Sequence, residues 1–211
     1  MNKPSRKKML DSDLIKITEA KHHDPFSVLG LQNIQGEDLI RVYLPYAETV
    51  SIGDAGANMQ RIPDSDFFEY SPTESLPEHY VLNWQDKDGG QHTSIDPYSF
   101  QSIMPEFDRH LFGEGQHWHI YQKLGAHLRT VDNIAGVYFA VWAPNAQRVS
   151  ILGEFNRWDG RCHPMRSLGS SGIWELFIPG LSEGCLYKFE ILNRQTGELL
   201  VKTDPYGQQF E

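Results

Sequence analysis

The chain has 211 residues, a formal net charge of −9 at pH 7, and 39% hydrophobic and 22% charged residues. This composition is typical of a folded protein of one or two domains and excludes wholesale disorder. With 19 basic against 28 acidic residues, the chain lacks the basic surface that a nucleic-acid-binding protein needs. A 12% aromatic content, together with 18 Gly and 12 Pro residues, favours many short strands over helices.

The cellular compartment follows from what the sequence lacks. No apolar run approaches the roughly 20 residues that span a membrane. The basic residues at the N-terminus have no apolar segment behind them, so they do not form a signal peptide. Cys162 and Cys185 are too few for a disulfide framework, which favours a reducing compartment. We therefore predict a cytoplasmic protein that binds neither membranes nor nucleic acid.

Two short helices are predicted, each ahead of a strand-rich region. Apolar residues at helical spacing mark the first helix at residues 14–17. Trp118, Tyr121 and Leu124 form a similar stripe, and Gly125 follows at the position expected of a helix C-terminus. We expect Trp118 to pack between the two strand-rich regions.

The chain contains two copies of one pattern. The segment IRVYLPYAETVSI at residues 40–52 matches YFAVWAPNAQRVSIL at residues 138–152, and the tripeptide DPY at residues 96–98 recurs at residues 204–206. The offset grows from 99 to 108 residues (144 − 45 and 204 − 96), so the second copy holds a few more residues. A repeat of about 100 residues is the size of a domain rather than of a solenoid unit.

Each copy is typical of a β-sandwich, because short runs with strand character end at turns rich in Pro, Asn and Gly. The predicted strands of the second copy are residues 137–143, 148–155, 173–178, 186–192 and 199–202. Their number and spacing fit an immunoglobulin-like sandwich. The predicted fold class is therefore all-β, with two tandem immunoglobulin-like β-sandwich domains, each preceded by a short helical segment. We place these domains at residues 1–107 and 108–211, with a linker near residues 101–114.

The sequence contains no pattern of catalytic residues. Histidines at residues 22–23 and 117–119 lack the spacing of a zinc site. Neither cysteine has a pattern that marks a histidine partner, and KDGGQ at residues 87–91 is typical of a hairpin turn rather than a phosphate loop. We predict no catalytic residue, no metal and no cofactor in this chain.

The turn ILGEFNRWDGRCHPM, at residues 151–165, contains the strongest candidate site. Trp158 lies in a tight turn rather than in an alternating strand, so we expect its indole to be partly exposed. An exposed indole is a flat apolar plate that can stack on a sugar ring while polar neighbours bind hydroxyls. Lys188, on the outward face of the strand at residues 186–192, is placed to supply such a contact. The alternative is that Trp158 covers the edge of the sandwich and Lys188 is a solvated residue.

The other aromatic positions predict no site. Trp84, Trp142 and Trp174 lie within runs with strand character, and we expect them in the cores. The first copy has GDAGANMQ, at residues 53–60, where the second has its tryptophan turn. Because this segment contains no aromatic residue, we predict no sugar site in the first copy.

Several long strings of the sequence match a known family. They are GVYFAVWAPNAQRVSILGEFNRWDGRCHPMR at residues 136–166, followed by SGIWELFIPG, LYKFEI and VKTDPYG. With them the second copy resembles the family 48 carbohydrate-binding module, which accompanies glycogen- and starch-branching and debranching enzymes. Upstream, HHDPFSVLG at residues 22–30 and DRHLFGEGQHWHIYQKLGAH at residues 108–127 are similar to the long form of the bacterial glycogen branching enzymes. The resemblance covers residues 13–211.

This resemblance implies roles for particular residues. In glycogen-binding members, the Trp of the FN-x-W turn stacks on glucose and the Lys of the YKF strand contacts hydroxyls, which implies these roles for Trp158 and Lys188. Those members have a second Trp before the Asp-Pro of the last strand, where this sequence has Val201. With one plate fewer, we expect weaker binding. Further polar contacts are expected from Asn156, Asp159 and Glu190.

The resemblance also implies a partner and a reaction. The partner is an α-1,4-glucan such as glycogen, amylose or a maltooligosaccharide. Catalysis belongs to a barrel of the family 13 glycoside hydrolase type following Glu211, which forms α-1,6 branches by retaining transglycosylation in glycogen biosynthesis. The alternative is a purely structural pair of sandwiches that supports this barrel without affinity for sugar, with Trp118 and the DPY segments as interface residues.

Overall fold

The computed structural model describes residues 11–54 and 56–207. Antiparallel strands are the main regular structure of this part of the chain, as the sequence predicts. The strands are β1 (Gly30–Ile34), β2 (Glu37–Tyr43), β3 (Ala47–Ile52), β4 (Ala57–Asn58), β5 (Gln60–Arg61), β6 (Phe67–Tyr70), β7 (Val81–Asp86), β8 (Gln91–Ile95), β9 (Gly125–Val131), β10 (Ile134–Trp142), β11 (Ala146–Gly153), β12 (Arg166–Ser167), β13 (Ile173–Pro179), β14 (Tyr187–Asn193) and β15 (Leu199–Lys202). Two α-helices, α1 (Ser12–Thr18) and α2 (Glu106–Gly113), accompany them. Neither is long and apolar enough to cross a membrane.

The strands form two sandwiches with the same strand order. In the first, the sheet β1-β2-β6-β5 packs on the sheet β4-β3-β7-β8. In the second, β9-β10-β13-β12 packs on β11-β14-β15, and a single bridge between Ser150 and Pro164 stands where β4 would be. The repeat in the sequence is therefore a repeat of the strand arrangement. We call the two sandwiches, each with the helix before it, the first and the second module.

Alternation within the strands builds each core. In β14, Phe189 is buried and Tyr187 and Ile191 pack beside it, while Lys188 on the opposite face is exposed, as predicted. The predicted strand at residues 199–202 coincides with β15, and the ends of the other four differ by a few residues. No strand was predicted where β9 lies, and its first residue, Gly125, was expected to end a helical stretch.

The first predicted helix is present, but the second is wrong. Leu14 and Ile17 are buried on α1. The stretch 118–124 contains only the 3₁₀ turn Ile120–Gln122, and the helix lies earlier, as α2, preceded by Pro105. Gly125 begins β9 with a φ of 103°, a left-handed conformation that glycine adopts without strain.

The expected position of Trp118 is also wrong. The side chain of Trp118 is 87% exposed and does not pack between the modules. It lies outside any helix, so its spacing from Tyr121 does not place the two residues on one face. Tyr121 is also exposed, and of the predicted stripe only Leu124 is buried.

The segment predicted as a linker covers a sheet. Phe100, Met104 and Leu124 form a buried cluster with Tyr138 on the outer side of β10 and β13. The buried carboxylate of Glu175 accepts the backbone amides of Ile103 at 3.2 Å and Met104 at 3.0 Å. The Tyr138 hydroxyl donates to the same carboxylate at 2.9 Å. This segment is therefore anchored to the second module.

The predicted burial of the tryptophans holds in part. Trp174 is buried and its indole donates to the carbonyl of Ala143 at 3.1 Å. Trp84 is half-buried and stacks on His92. Trp142 is 54% exposed, so its expected core position is wrong. Trp142 points away from the sandwich core that Val137, Phe139 and Val141 enter. On its own face the covering cluster buries Tyr138 but does not cover Trp142, the last residue of β10.

The two DPY segments make the same local structure. The Asp96 carboxylate is buried and accepts the Tyr80 hydroxyl at 2.6 Å and the Tyr98 amide at 3.0 Å. In the second copy, the equivalent Asp204 accepts the hydroxyl of Tyr187 and the amide of Tyr206. Their surroundings differ, however. The Tyr98 hydroxyl donates to the Pro164 carbonyl of the second module at 3.2 Å, whereas Tyr206 is 37% exposed.

Candidate functional site

The turn after β11 presents Trp158 at the surface. The indole is 42% exposed, which confirms that this residue is not fully buried. Arg157 and Trp158 both have a φ of 58°, a left-handed conformation that costs residues with a side chain about 1–2 kcal/mol each. The Trp158 amide donates to the Gly153 carbonyl at 2.9 Å. Surrounding contacts must therefore stabilise this turn.

Asn156 supplies several of those contacts. Its side-chain oxygen accepts the Gly153 amide at 2.9 Å, and its Nδ2 donates to the Ile151 carbonyl at 2.7 Å. The same Nδ2 lies 2.9 Å from Nδ1 of His163. Burial lowers the pKa of His163 to about 4, so its ring is neutral at pH 7 and can accept this hydrogen bond. Asn156 is itself buried, and its polar atoms serve the turn.

Asp159 connects the turn to both modules. Its carboxylate accepts three hydrogen bonds from Nε and Nη2 of the Arg161 guanidinium, at distances of 2.7 to 3.1 Å. It also accepts the hydroxyl of Tyr46, from the first module, at 2.7 Å. Burial alone would raise the pKa of Asp159, but the hydrogen bonds from Arg161 and Tyr46 outweigh it and hold the pKa below its usual value. The group is therefore an anion at neutral pH.

Glu190 is paired with a buried arginine. Nη2 of Arg148 lies 2.7 Å from Glu190 Oε1, and Nη1 donates to Ser150 Oγ at 2.6 Å. The Arg148 side chain is only 1% exposed, so this ion pair is shielded from water. A Cβ atom at Gly160 would lie 2.0 Å from Glu190 Oε1, which explains why glycine stands there. The pair thus holds the base of the turn against β14.

A groove of about 570 Å³ lies beside the exposed indole. Of the five predicted site residues, Trp158, Asp159 and Glu190 line it. Asn156 lies buried within the turn, and Lys188 stands two residues before Glu190 on the same face of β14, outside the lining. The structure therefore brings three of the five together along one groove.

The last strand borders the same face of the sheet. Val201 lies opposite Glu190 in the ladder of β14 and β15, and it is 51% exposed. Leu199, opposite Leu192, also lines the groove and is 53% exposed. This edge therefore presents aliphatic side chains to solvent.

Sequence reasoning missed the contribution of the first module. Glu19, Lys21 and Tyr46 line the groove together with residues of the second module. One signal was available for Tyr46, which occupies the position in LPYAE that Asn145 holds in the repeated APNAQ (145 − 46 = 99). A change of residue type at an equivalent turn marks a position that serves one copy only.

The described residues contain no group of three or more His, Cys, Asp or Glu side chains placed to hold a metal ion. Both cysteines are free, and burial raises the pKa of the Cys162 thiol to about 12. Such a thiol is a poor nucleophile at neutral pH because the thiolate is the reactive form.

Each module matches the model of a known protein family. Residues 123–207 match the model of carbohydrate-binding module 48 (isoamylase N-terminal domain), and residues 10–98 match that of the alpha-1,4-glucan branching enzyme GlgB, N-terminal domain. The chain is 55% identical over 203 residues to the 1,4-alpha-glucan branching enzyme GlgB of Methylococcus capsulatus, covering 96% of this chain and 27% of that protein. Both modules are thus similar to the N-terminal region of proteins named 1,4-alpha-glucan branching enzymes.

A second relative agrees with this assignment. The branching enzyme GlgB of Cellvibrio japonicus is 51% identical over an alignment 222 positions long, which covers all of this chain and 30% of that protein. The chain thus spans somewhat more than a quarter of the branching enzymes it matches. Among solved structures, a pullulanase from Anoxybacillus aligns over 84% of this chain and 25% of its own, at 13% identity and a TM-score of 0.33, too low to indicate a shared overall arrangement.

Proposed function

We propose that the second module binds α-1,4-glucan chains, such as glycogen, amylose and maltooligosaccharides, and orients them for the catalytic barrel of a cytoplasmic branching enzyme. The observation that supports this most is the exposed indole of Trp158, fixed at the edge of a groove with polar groups. Stacking of a sugar ring on such an indole buries apolar C–H groups of the sugar, while polar neighbours take its hydroxyls. The match to carbohydrate-binding module 48 includes this turn.

The residues divide into those that contact sugar and those that hold the turn. We assign the stacking surface to Trp158, and hydroxyl contacts to Lys188, Asp159 and Glu190. Asn156 is assigned to the turn, since it is buried and hydrogen-bonded within it. With one aromatic plate, the expected dissociation constant is millimolar, about −4 kcal/mol of binding free energy.

An NMR titration of the intact chain with maltoheptaose tests this proposal. We expect the indole N–H of Trp158 and the amides of the turn to shift, with a millimolar dissociation constant. Trp158→Ala should weaken binding at least about tenfold, because it removes the stacking surface. Trp118→Ala is the matched control, since this exposed tryptophan lies outside the groove. Binding that survives in Trp158→Ala, or no shift at millimolar sugar, would overturn the proposal.

A second candidate function is mechanical support of the barrel without sugar affinity. Four aromatic side chains on or near the segment between the modules are more than half exposed: Phe107, Trp118, Tyr121 and Trp142. Exposed aromatic side chains of this kind mark surfaces that pack against another domain. Under this candidate the chain associates with itself in sedimentation experiments, and maltoheptaose causes no shift at the groove.

The activity of the longer protein is likewise a proposal. The relatives are named 1,4-alpha-glucan branching enzymes, and this chain covers about a quarter of their length. We propose that the complete protein forms α-1,6 branches in glycogen biosynthesis by retaining transglycosylation, with catalytic residues outside these 211 residues. Branching activity of the complete protein on amylose tests this directly.

A further inference from the structure

The groove beside Trp158 has walls from both modules. The second module contributes the turn and the outer face of β14 and β15. The first module contributes the chain just after α1, with Glu19 and Lys21, and the side chain of Tyr46. A ligand in this groove would therefore lie against two structural units.

The first module holds the turn from outside. The Tyr46 hydroxyl donates to Asp159 Oδ2 at 2.7 Å, and the ring of Tyr46 lies under the guanidinium of Arg157 at 4.6 Å. The same guanidinium donates to Asp86, at the end of β7, at 3.0 Å. The residues on either side of Trp158 are thus both bonded to the first module. Since the turn is in a strained left-handed conformation, these bonds bear directly on where the indole points.

The segment after α1 is fixed to the floor of the groove. Nε of the buried Arg148 donates to the Ala20 carbonyl at 2.8 Å, and Gln147 donates to the Lys21 carbonyl at 3.3 Å. Nζ of Lys21 lies 2.9 Å from Glu19 Oε2, and both side chains are about half exposed, at 55% and 50%. An ammonium and a carboxylate side by side can donate to and accept from the hydroxyls of a sugar ring.

We propose that the first module completes the glucan site of the second. Lys21, with Glu19, binds hydroxyls of a sugar ring stacked on Trp158, and Tyr46 is a positioning residue that fixes the Trp158 turn. This inference rests on the proposed function of the second module. It also gives the first module, which has no tryptophan turn of its own, a part in sugar recognition.

Lys21→Met tests the contact. It keeps most of the side-chain volume and removes the donor, so we expect maltoheptaose binding to weaken about threefold to tenfold. Lys16→Met is a matched control, because Lys16 lies on α1, is similarly exposed, pairs with Asp13 and does not line the groove. Equal affinities of the two variants would overturn the contact.

Tyr46→Phe tests the positioning role. We expect about threefold weaker binding and a changed chemical shift of the Trp158 indole N–H in the sugar-free protein. Tyr98→Phe removes another inter-module hydrogen bond, to Pro164, outside the groove. If Tyr46 merely joined the modules, both variants would lower the unfolding temperature and leave the dissociation constant unchanged.

The same titrations separate this inference from the proposed function. No binding by the unaltered chain, or full binding by Trp158→Ala, contradicts the proposed function itself. Binding that requires Trp158, with Lys21→Met and Tyr46→Phe each indistinguishable from its control, contradicts only the shared site. Unfolding measured by circular dichroism confirms that every variant compared is folded.

Discussion

The two modules share one strand order and differ in the loops. Residues 53–59 separate β3 from β5 in the first module, whereas residues 154–165 separate their counterparts β11 and β12 in the second. That longer loop contains the exposed indole, the Asp159–Arg161 pair and Gly160. This difference indicates that the sandwich is a scaffold and that the candidate site depends on one loop between equivalent strands.

The modules also differ in how their repeated DPY segments are used. A Cβ atom on Gly30 would lie 2.7 Å from the Tyr98 carbonyl, and one on Gly125 would lie 2.9 Å from Tyr206 Cβ, so the two copies pack alike. Yet Tyr98 is bonded to the neighbouring module and Tyr206 is partly exposed. Equivalent residues thus have different partners, which sequence similarity between the copies does not show.

The largest expected effect that separates the modules comes from Arg148. Arg148→Met leaves the Glu190 carboxylate, which is only 14% exposed, without its cation, which should destabilise the second module by about 3–5 kcal/mol. Chemical unfolding followed by NMR signals of each module measures this. The double variant Arg148→Met, Glu190→Leu should recover part of the loss, because no unpaired charge remains. Arg194→Met, at an exposed arginine of the same module, is the control. If Arg148→Met destabilised the second module no more than Arg194→Met does, the ion pair between Arg148 and Glu190 would not matter for its stability.

The pH dependence should differ in sign between the modules. The folded pKa of His163 is lowered to about 4 from 6.5, so the unfolded chain gains a proton first as pH falls, and the second module loses about 3 kcal/mol between pH 6.5 and 4. Burial raises the pKa of Asp96 to about 6 from 3.8, so the folded first module gains the proton first and is stabilised as pH falls from 6 to 4. Module-resolved unfolding at pH 6.5 and 4.5 measures both.

Two variants show which side chains cause these opposite pH dependences of stability. His163→Gln should remove much of the acid sensitivity of the second module, and Asp96→Asn should remove the gain of the first. Parallel pH profiles for the two modules of the unaltered chain would show that other groups dominate.

The smallest of these effects concerns Gly160. Gly160→Ala forces the paired Glu190 carboxylate to move, at a cost of about 1–3 kcal/mol to the second module and with weaker glucan binding. In Gly113→Ala, at the end of α2, the added methyl group meets nothing within 4 Å, and we expect a change below about 0.5 kcal/mol. Thermal unfolding and the maltoheptaose titration together measure this. Equal stability of the two variants would show that the Glu190 carboxylate can move away from residue 160 at little cost in free energy.

The sequence predicted the features that rest on local alternation and internal similarity. The all-β class, the repeat and the exposed turn at Trp158 follow from patterns of a few residues. The predicted helix at Trp118 was wrong because three apolar residues at helical spacing are not enough to require a helix. A glycine in a left-handed conformation starts a strand directly after them. The prediction for Trp142 was wrong because both faces of β10 are buried along most of the strand, and the cover on the outer face ends before its last residue.

The walls of the groove were beyond sequence reasoning for a different reason. Tyr46 and Asp159 are 113 residues apart, and Ala20 and Arg148 are 128 apart. Contacts of this kind depend on how the modules dock, and neither motif nor periodicity encodes docking. The domain division at residue 107 stays a prediction, since the segment around it packs on the second module.

Glu175 has a consequence for how the two modules move. Its carboxylate fixes the backbone at Ile103 and Met104, in the stretch where a hinge would otherwise lie. Because that stretch is hydrogen-bonded to the second module, it is not a flexible linker. Rotation of the first module relative to the second is therefore restricted there. If the groove binds a glucan as proposed, the chain of the sugar keeps one orientation relative to both sandwiches.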